Sequence, residues 1–372
     1  MKHGNSSLNL KKPPVIKRSS TPNGVHNHGQ EQNKILSEDK IQEILSSPII
    51  DLEKLRSKSW AGFSNKFRAQ IWRLFLDYEP VNSAVRKTAL EHKRNDYLDC
   101  VKRVLDQSLW TNTQKQTETQ ILRDLPRTHL ALLRDKKVME LFKKVLFVWA
   151  VRHPACGYVQ GMNDLLQPFF FAFLNQFCQD KDIDEIIQMK NCDFLDDEAF
   201  RIIEADCFWC FSKLMDGLQD LYTKDQPGLY KMLDSLSFLI QRVNPKLSQL
   251  IKEENIDYQE FAFRWMNCLL VREFSPKLLL RLWDFYLSNH SKISSTHIYV
   301  CAALLTTLSP ELLGLNHNDF IMKIQTIDPD RWSFEDFDMI IAQSYVYEKM
   351  FSHSPSHLRS SSLPLFQLNQ KK

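Results

Sequence analysis

Two short polar runs in the 372-residue chain carry side chains that could do chemistry. The first is Ile121-Leu-Arg-Asp124-Leu-Pro126-Arg127-Thr128. Pro126 disfavours helix at Leu125 and stiffens the backbone just before Arg127. Asp124, three residues earlier, can hold the guanidinium by a bidentate contact and fix its direction. On spacing alone, a surface loop with a casual ion pair is the readier account. The second run is Gly157-Tyr158-Val159-Gln160-Gly161-Met162-Asn163-Asp164. Two glycines flank one glutamine and leave the backbone room to bring Gln160 close to something. Asn163 or Asp164 would cap the helix that follows, and Tyr158 reads as a half-buried aromatic with a wet hydroxyl. Both runs are expected in loops between apolar helices.

Other chemistries fail on residue type. The chain has only 9 glycines, where average usage of roughly 7% would give about 26. None forms a G-x-G-x-x-G or G-x-x-x-x-G-K pattern, so the usual loop for cradling ATP, GTP or NAD is missing. That argues against a kinase, a P-loop NTPase and a Rossmann dehydrogenase. Cys207-x-x-Cys210 has no second pair, and in a helical run its thiols share an apolar face, which reads as core. Asp180, Asp182 and Asp184 mimic a calcium loop, but Glu185 stands where that loop needs glycine and Asn191 where it needs glutamate. An exposed arginine and an exposed glutamine without a phosphate loop are the wrong kit for an NTPase. They are the right kit for completing another protein's site. A GTPase already holds nucleotide and Mg²⁺; it lacks positive charge on the transition state and a well-oriented water.

The elements that must position these runs read as helices. In VMELFKKVLFVWAV, Val138, Leu141, Phe142, Val145, Leu146 and Trp149 fall on one helix face, with Arg152 and His153 at the C-terminus and Pro154 as the stop. Ser275-Pro276 reads as an N-cap with proline at the first helical position. It is followed by the stripe Leu279, Leu282, Trp283 and Tyr286. Ser333 and Asp336 start a last helix through Tyr347. Phe261 to Leu270 suggests a helix buried on every side. Strand-like alternation is nearly absent, and few glycines argue against hairpins. The fold expected is all-α, one domain over 46–352.

The ends differ in composition. No Phe, Tyr or Trp precedes Trp60. Residues 1–45 read as a disordered basic tail and 353–372 as a disordered Ser-rich tail. Residues 1–40 carry seven Lys or Arg and three Asp or Glu, while the whole chain is only +3. The body is therefore slightly acidic, which argues against nucleic-acid binding. The start of the chain shows no apolar signal segment. The longest apolar runs, such as Pro168–Leu174, fall short of the roughly 18–20 residues of a membrane span. Eight irregularly spaced cysteines read as reduced cytosolic thiols.

The two polar runs match the I-x-x-D-x-x-R and Y-x-Q signatures of the TBC-domain Rab GTPase-activating proteins. Arg68-x-x-x-Trp72 agrees, as do Glu204 to Trp209, Arg272-Glu273-Phe274 and Arg281-Leu-Trp283-Asp284, in family order. The chain resembles this family over about residues 55–350, and FWCFSKLMDGLQDLYTKDQPG and FAFRWMNCLLVREF look most like its Golgi-associated member 22 branch. The resemblance implies an all-helical, V-shaped domain that docks a GTP-bound Rab on its concave face. It implies that Arg127 is an arginine finger and Gln160 a glutamine finger. Asp124 would orient Arg127; Tyr158, Asn163 and Asp164 would shape the Gln160 loop; Arg68 and Trp72 would support the site from behind. Trp265, Trp283 and Asp284 would be framework. No cofactor of its own is implied, since GTP and Mg²⁺ would be the Rab's. The expected setting is vesicle traffic in the cytoplasm, at the Golgi, with membrane association through partners. Ser64 departs from the family, whose early turn has proline, and this bears on the stiffness of the loop before Arg68. The rival readings are a Rab-binding or scaffold module without catalysis and a helical adaptor whose tails do the work. Loss of either finger would favour the first rival, and both fingers are present.

Overall fold

The computed structural model describes residues 38–352, apart from 129, 179–180 and 224. The expectations for residues 1–37 and 353–372 lie outside the described residues. The chain forms two compact units, the first ending at Leu45 and the second starting at Ser46. In the first, residues 38–45 are a helix, α1, although composition had put them in the tail. Ile41, Ile44 and Leu45 stand at i, i+3 and i+4, so a segment without aromatics still has an apolar helix face.

In the second unit every element with hydrogen-bonded periodicity is helical, and no strand forms among the described residues. The one β feature there is an isolated bridge between Ile49 and Asn82. The helix made of Val138's stripe is α6 (Lys136–Arg152, counting α2 as Leu52–Arg56, α3 as Asn65–Phe75, α4 as Ser83–Val104 and α5 as Asn112–Asp124). The six stripe residues of α6 are all buried. Asp135 caps α6 by accepting from Lys137 N and Val138 N. His153 closes it, its Nδ1 2.8 Å from the Trp149 carbonyl.

The helix buried on every side is α7 (Met162–Asn175), all of whose residues are buried. It lies at the centre, packed against α3, α6, α9 (Asp197–Asp216), α12 (Tyr258–Cys268) and α13 (Pro276–Ser288). The sequence pointed instead to Phe261–Leu270. That segment is mostly buried, but Arg264 stays half-exposed so that its guanidinium can pair with Glu273 at 2.8 Å. The helix also stops at Cys268, because Leu269 and Leu270 turn left-handed (φ 48° and 59°). Between α7 and α13 the chain adds α8 (Ile183–Gln188), α10 (Pro227–Val243) and α11 (Pro245–Glu253). The remaining helices are α14 (Ile293–Leu312), α15 (His317–Gln325) and α16 (Phe334–Phe351). The expected starts at Pro276 and at the Ser333–Asp336 capping box are present, although Ser275 makes no side-chain cap bond.

Two buried carboxylates tie distant helices together. Asp284 on α13 accepts from Phe63 N (2.9 Å), Arg68 Nε (3.0 Å) and Trp72 Nε1 (2.7 Å). Asp206 on α9 accepts from Arg73 (3.1 Å), from the Tyr78 hydroxyl (2.7 Å) and from both Nε and Nη2 of Arg94 (2.8 Å each). A buried charge needs such saturation by donors, since an unpaired one costs several kcal/mol. Cys207 and Cys210 follow Asp206 on the same helix and are fully buried. Burial pushes both thiols well above their ordinary pKa, which fits core rather than redox residues.

Candidate functional site

Arg127 is delivered by α5. Thr111 and Gln114 form a capping box at its start, and Asp124 ends it. A 3-10 turn, Leu125–Arg127, follows without a break. Here the pre-proline expectation fails: Leu125 is helical (φ −55°, ψ −42°) and its N–H bonds the Ile121 carbonyl. Leu125 is buried together with Ile121, and that anchoring outweighs the local preference of a residue before proline. The missing N–H of Pro126 falls where the helix is already tightening, so little is lost. The Arg127 side chain is 58% exposed, while that of Asp124 is buried at 7%. Their closest approach is 3.5 Å, Nη1 to Oδ1. That is longer than the bidentate fork expected, whose bonds run at about 2.8 Å. Asp124 therefore steers the guanidinium electrostatically and leaves its fork free for another acceptor.

Gln160 sits in the turn between α6 and α7, and its side chain is exposed. Gly157 and Gly161 both take positive φ (64° and 104°), a backbone that a residue with a Cβ rarely adopts. Between them Tyr158 points inward. It is buried, and its hydroxyl lies 3.0 Å from Asp124 Oδ2 and 3.3 Å from Asn163 Oδ1. A phenol has one proton, and the shorter contact, to the carboxylate, takes it. Burial, followed by the Asp124 charge, pushes the Tyr158 pKa up. The half-buried ring with a wet hydroxyl is thus replaced by a buried strut between the two polar runs.

Asn163 and Asp164 do not cap α7. The N-cap is Gly161, with no side-chain cap bond. Asn163 is engaged within its own loop, and Asp164 by groups far away in sequence. Asn163 Oδ1 accepts from Gly161 N at 3.3 Å as well as facing Tyr158. Asp164 accepts from Gln167 Nε2 (2.9 Å), from the Cys268 thiol (3.3 Å) and from Arg272 Nε (2.9 Å). Burial first, and then the Asp164 carboxylate, keeps the Cys268 thiol protonated. Burial opposes the charge on Arg272, but Asp164 more than offsets it and the guanidinium pKa is raised.

Arg68 and Trp72 belong to a different cluster. Both donate to Asp284, and Arg68 also donates to the Phe63 carbonyl and to Asn65 Oδ1. Trp72 meets α7 through Phe169, with ring centroids 5.8 Å apart at right angles. They brace the middle of α7 at Phe169 rather than either polar run. Ser64 is the N-cap of α3, and its hydroxyl is buried without a partner among the described residues. The stiffness that proline would give the preceding loop comes instead from the Phe63 N–H held by Asp284.

Sequence reasoning missed Asn267, Cys268 and Arg272 as members of the site. Asn267 Nδ2 donates to the Gln160 carbonyl at 2.8 Å. The available signal was an isolated amide in the apolar run Phe261–Leu270. Among the described residues no group of three or more His, Cys, Asp or Glu is placed to hold a metal, and no helix is long and apolar enough to cross a membrane.

Comparison with known proteins bears on the family and the fold. Residues 65–313 match the family described as the Rab-GTPase-TBC domain. The chain is 38% identical over 326 residues to human "TBC1 domain family member 22B", covering 86% of this chain and 63% of that protein. It is 35% identical over 342 residues to "GTPase-activating protein gyp1" of Schizosaccharomyces pombe, covering 88% of this chain and 64% of that one. The crystal structure of the Ypt/Rab-GAP domain of Gyp1p superposes with a TM-score of 0.81 at 34% identity, covering 86% of this chain and 99% of that chain. The chain thus spans somewhat less than two thirds of the length of these two full-length relatives.

Proposed function

Since the chain belongs to the Rab-GTPase-TBC domain family, we propose that it accelerates GTP hydrolysis by a Rab small GTPase, supplying Arg127 and Gln160 in trans. The observation that carries this reading is the Tyr158–Asp124 hydrogen bond. It ties the end of α5 and its 3-10 turn to the α6–α7 turn, and their outward side chains, Arg127 and Gln160, are both exposed. The Rab contributes GTP and Mg²⁺, and this chain needs no nucleotide loop. Arg127 places positive charge on the γ-phosphoryl oxygens as they gain charge. The Gln160 carboxamide accepts from the attacking water and donates toward the γ-phosphate. The protein is on this view an activator that works in its partner's active site. The resemblance to the member 22 branch extends the proposal to vesicle traffic at the Golgi.

The test is GTP hydrolysis by a panel of GTP-loaded Rabs with and without this protein. Gln160→Ala should lose about 10²–10³ in stimulated rate, as for a positioned polar group. It should still bind GTP-loaded Rab, because the interaction removed forms only in the transition state. Replacing the Rab's own switch glutamine by alanine should leave stimulation largely intact. Tolerance of Gln160→Ala with a strict need for the Rab's glutamine would reduce this protein to a one-finger activator. Rab binding without any stimulation would make it a binding module.

A further inference from the structure

The peptide group that joins Gln160 to Gly161 is gripped at both ends. Its carbonyl accepts from Asn267 Nδ2 at 2.8 Å, and its N–H donates to Asn163 Oδ1 at 3.3 Å. A peptide followed by glycine turns easily, because glycine accepts both signs of φ. The direction of the Gln160 side chain therefore depends on what holds this plane. Asn163 reaches it from within the loop. Asn267 reaches it from α12, 107 residues away in sequence.

Asn267 is itself held firmly. Its own carbonyl accepts from the Tyr222 hydroxyl. One residue later α12 ends in the left-handed pair Leu269 and Leu270, an unfavourable conformation for residues with a Cβ. That turn is fixed by the Trp265 carbonyl, which accepts from Leu269 N and from His297 Nε2 at 3.0 Å. The contact is built into both partners: a Cβ on Gly161 would stand 2.2 Å from Asn267 Nδ2. The Asn267 side chain is poor core material. It is buried, and its Oδ1 has no hydrogen-bond partner among the described residues. An apolar side chain there would avoid that desolvation, so the amide is explained by the one directed bond it makes.

We propose that Asn267 is a positioning residue for the glutamine finger: it fixes the Gln160–Gly161 peptide so that the Gln160 carboxamide meets the partner's nucleotide in one orientation. It touches no nucleotide itself, and the proposal rests on the two-finger reading above. Misplacement of a reacting group by about 1 Å can cost on the order of 10²-fold in rate. Asn267→Ala in the full chain should therefore lower the stimulated kcat roughly 10–100-fold, with less than about a twofold change in KM for GTP-loaded Rab. Asn267→Leu keeps roughly the volume but has no donor for a carbonyl, and it should be as slow. The decisive comparison is the double variant Gln160→Ala/Asn267→Ala. If Asn267 acts through Gln160, the double variant should be no slower than Gln160→Ala alone, within about twofold. A purely structural role would instead multiply the two losses. Multiplied losses, or a parental kcat in Asn267→Ala beside a slow Gln160→Ala, would overturn the proposal alone. A full rate in Gln160→Ala itself would overturn the two-finger reading and this proposal together.

Discussion

The Tyr158 hydroxyl lies 3.0 Å from Asp124 Oδ2, a buried hydrogen bond between residues 34 apart in sequence. Asp124 ends the helix that delivers Arg127, and Tyr158 opens the turn that presents Gln160. The distance between the two outward side chains is thus governed from underneath, by one phenol and one carboxylate.

Tyr158→Phe should uncouple the two segments while leaving the Arg127 and Gln160 side chains in place. A hydrogen bond to a charged group contributes about 1.5–3 kcal/mol, so denaturant unfolding should show a loss of that order. On the proposed two-finger reading, stimulated hydrolysis should fall about tenfold or more, since Arg127 and Gln160 lose their common reference. Unchanged rate and unchanged stability would show that the two loops are held independently.

Arg127→Ala should abolish most of the stimulation and leave melting near the parent, because the side chain is largely exposed and Asp124 keeps its Tyr158 donor. An arginine finger in trans is worth on the order of 10³–10⁵ in rate. Arg127→Lys should do nearly as badly, since an ammonium cannot reproduce the planar fork. More than about a tenth of the parental activity in Arg127→Ala would place the finger elsewhere.

Trp283 and Asp284 should govern folding. Trp283 is fully buried against Phe169 and Trp72, at 5.3 and 6.3 Å between ring centroids. Trp283→Ala should cost roughly 3–5 kcal/mol through the cavity left behind. Asp284→Ala strands the buried Arg68 guanidinium and should cost about 3–5 kcal/mol. Normal melting with lost activity in Trp283→Ala would move that residue into the partner-contacting set.

Acid should weaken the fold through His297. Its Nε2–H donates to the Trp265 carbonyl, so Nδ1 accepts from the Tyr286 hydroxyl at 2.7 Å. Burial lowers the folded pKa to about 3, although the Trp265 bond opposes that shift. An unfolded histidine titrates near 6.5, so between those values the unfolded chain binds the extra proton and stability falls as pH falls. The contribution is complete above pH 6.5 or so and is about 2 kcal/mol smaller at pH 5. Denaturant curves at pH 7 and pH 5 should therefore separate the parent from His297→Gln by about that amount. Parallel pH dependence would put the imidazole back at its ordinary pKa.

Periodic features were legible in the sequence because they are local. The α6 stripe, the stop at Pro154 and the Ser333 cap depend on residues within a few turns, and the structure has them all. The two polar runs were legible as candidates for the same reason. Leu125 was misread because the rule for a residue before proline ignores burial, and burial holds this one helical. The cap role fails at Asn163 because the loop before the helix takes its oxygen, and at Asp164 because its partner is out of local view: Arg272 is 108 residues beyond it. Asn267 was invisible on similar grounds. One amide in an apolar helix resembles a tolerated exception until the Gln160 carbonyl is seen beside it.

The carboxylate of Asp284 also has a bearing on how the chain is made. It is reached by Phe63, Arg68 and Trp72 across 212 to 221 residues. At a synthesis rate of about 5–20 residues per second, roughly 10–45 s separate the appearance of Arg68 from that of Asp284. During that interval Arg68 lacks the carboxylate it pairs with in the finished fold. The phenylalanine cluster of α7, Phe169 to Phe171 and Phe173, emerges midway. Until α13 appears, the growing polypeptide has the phenylalanines of α7 without the helix that covers them in the finished fold.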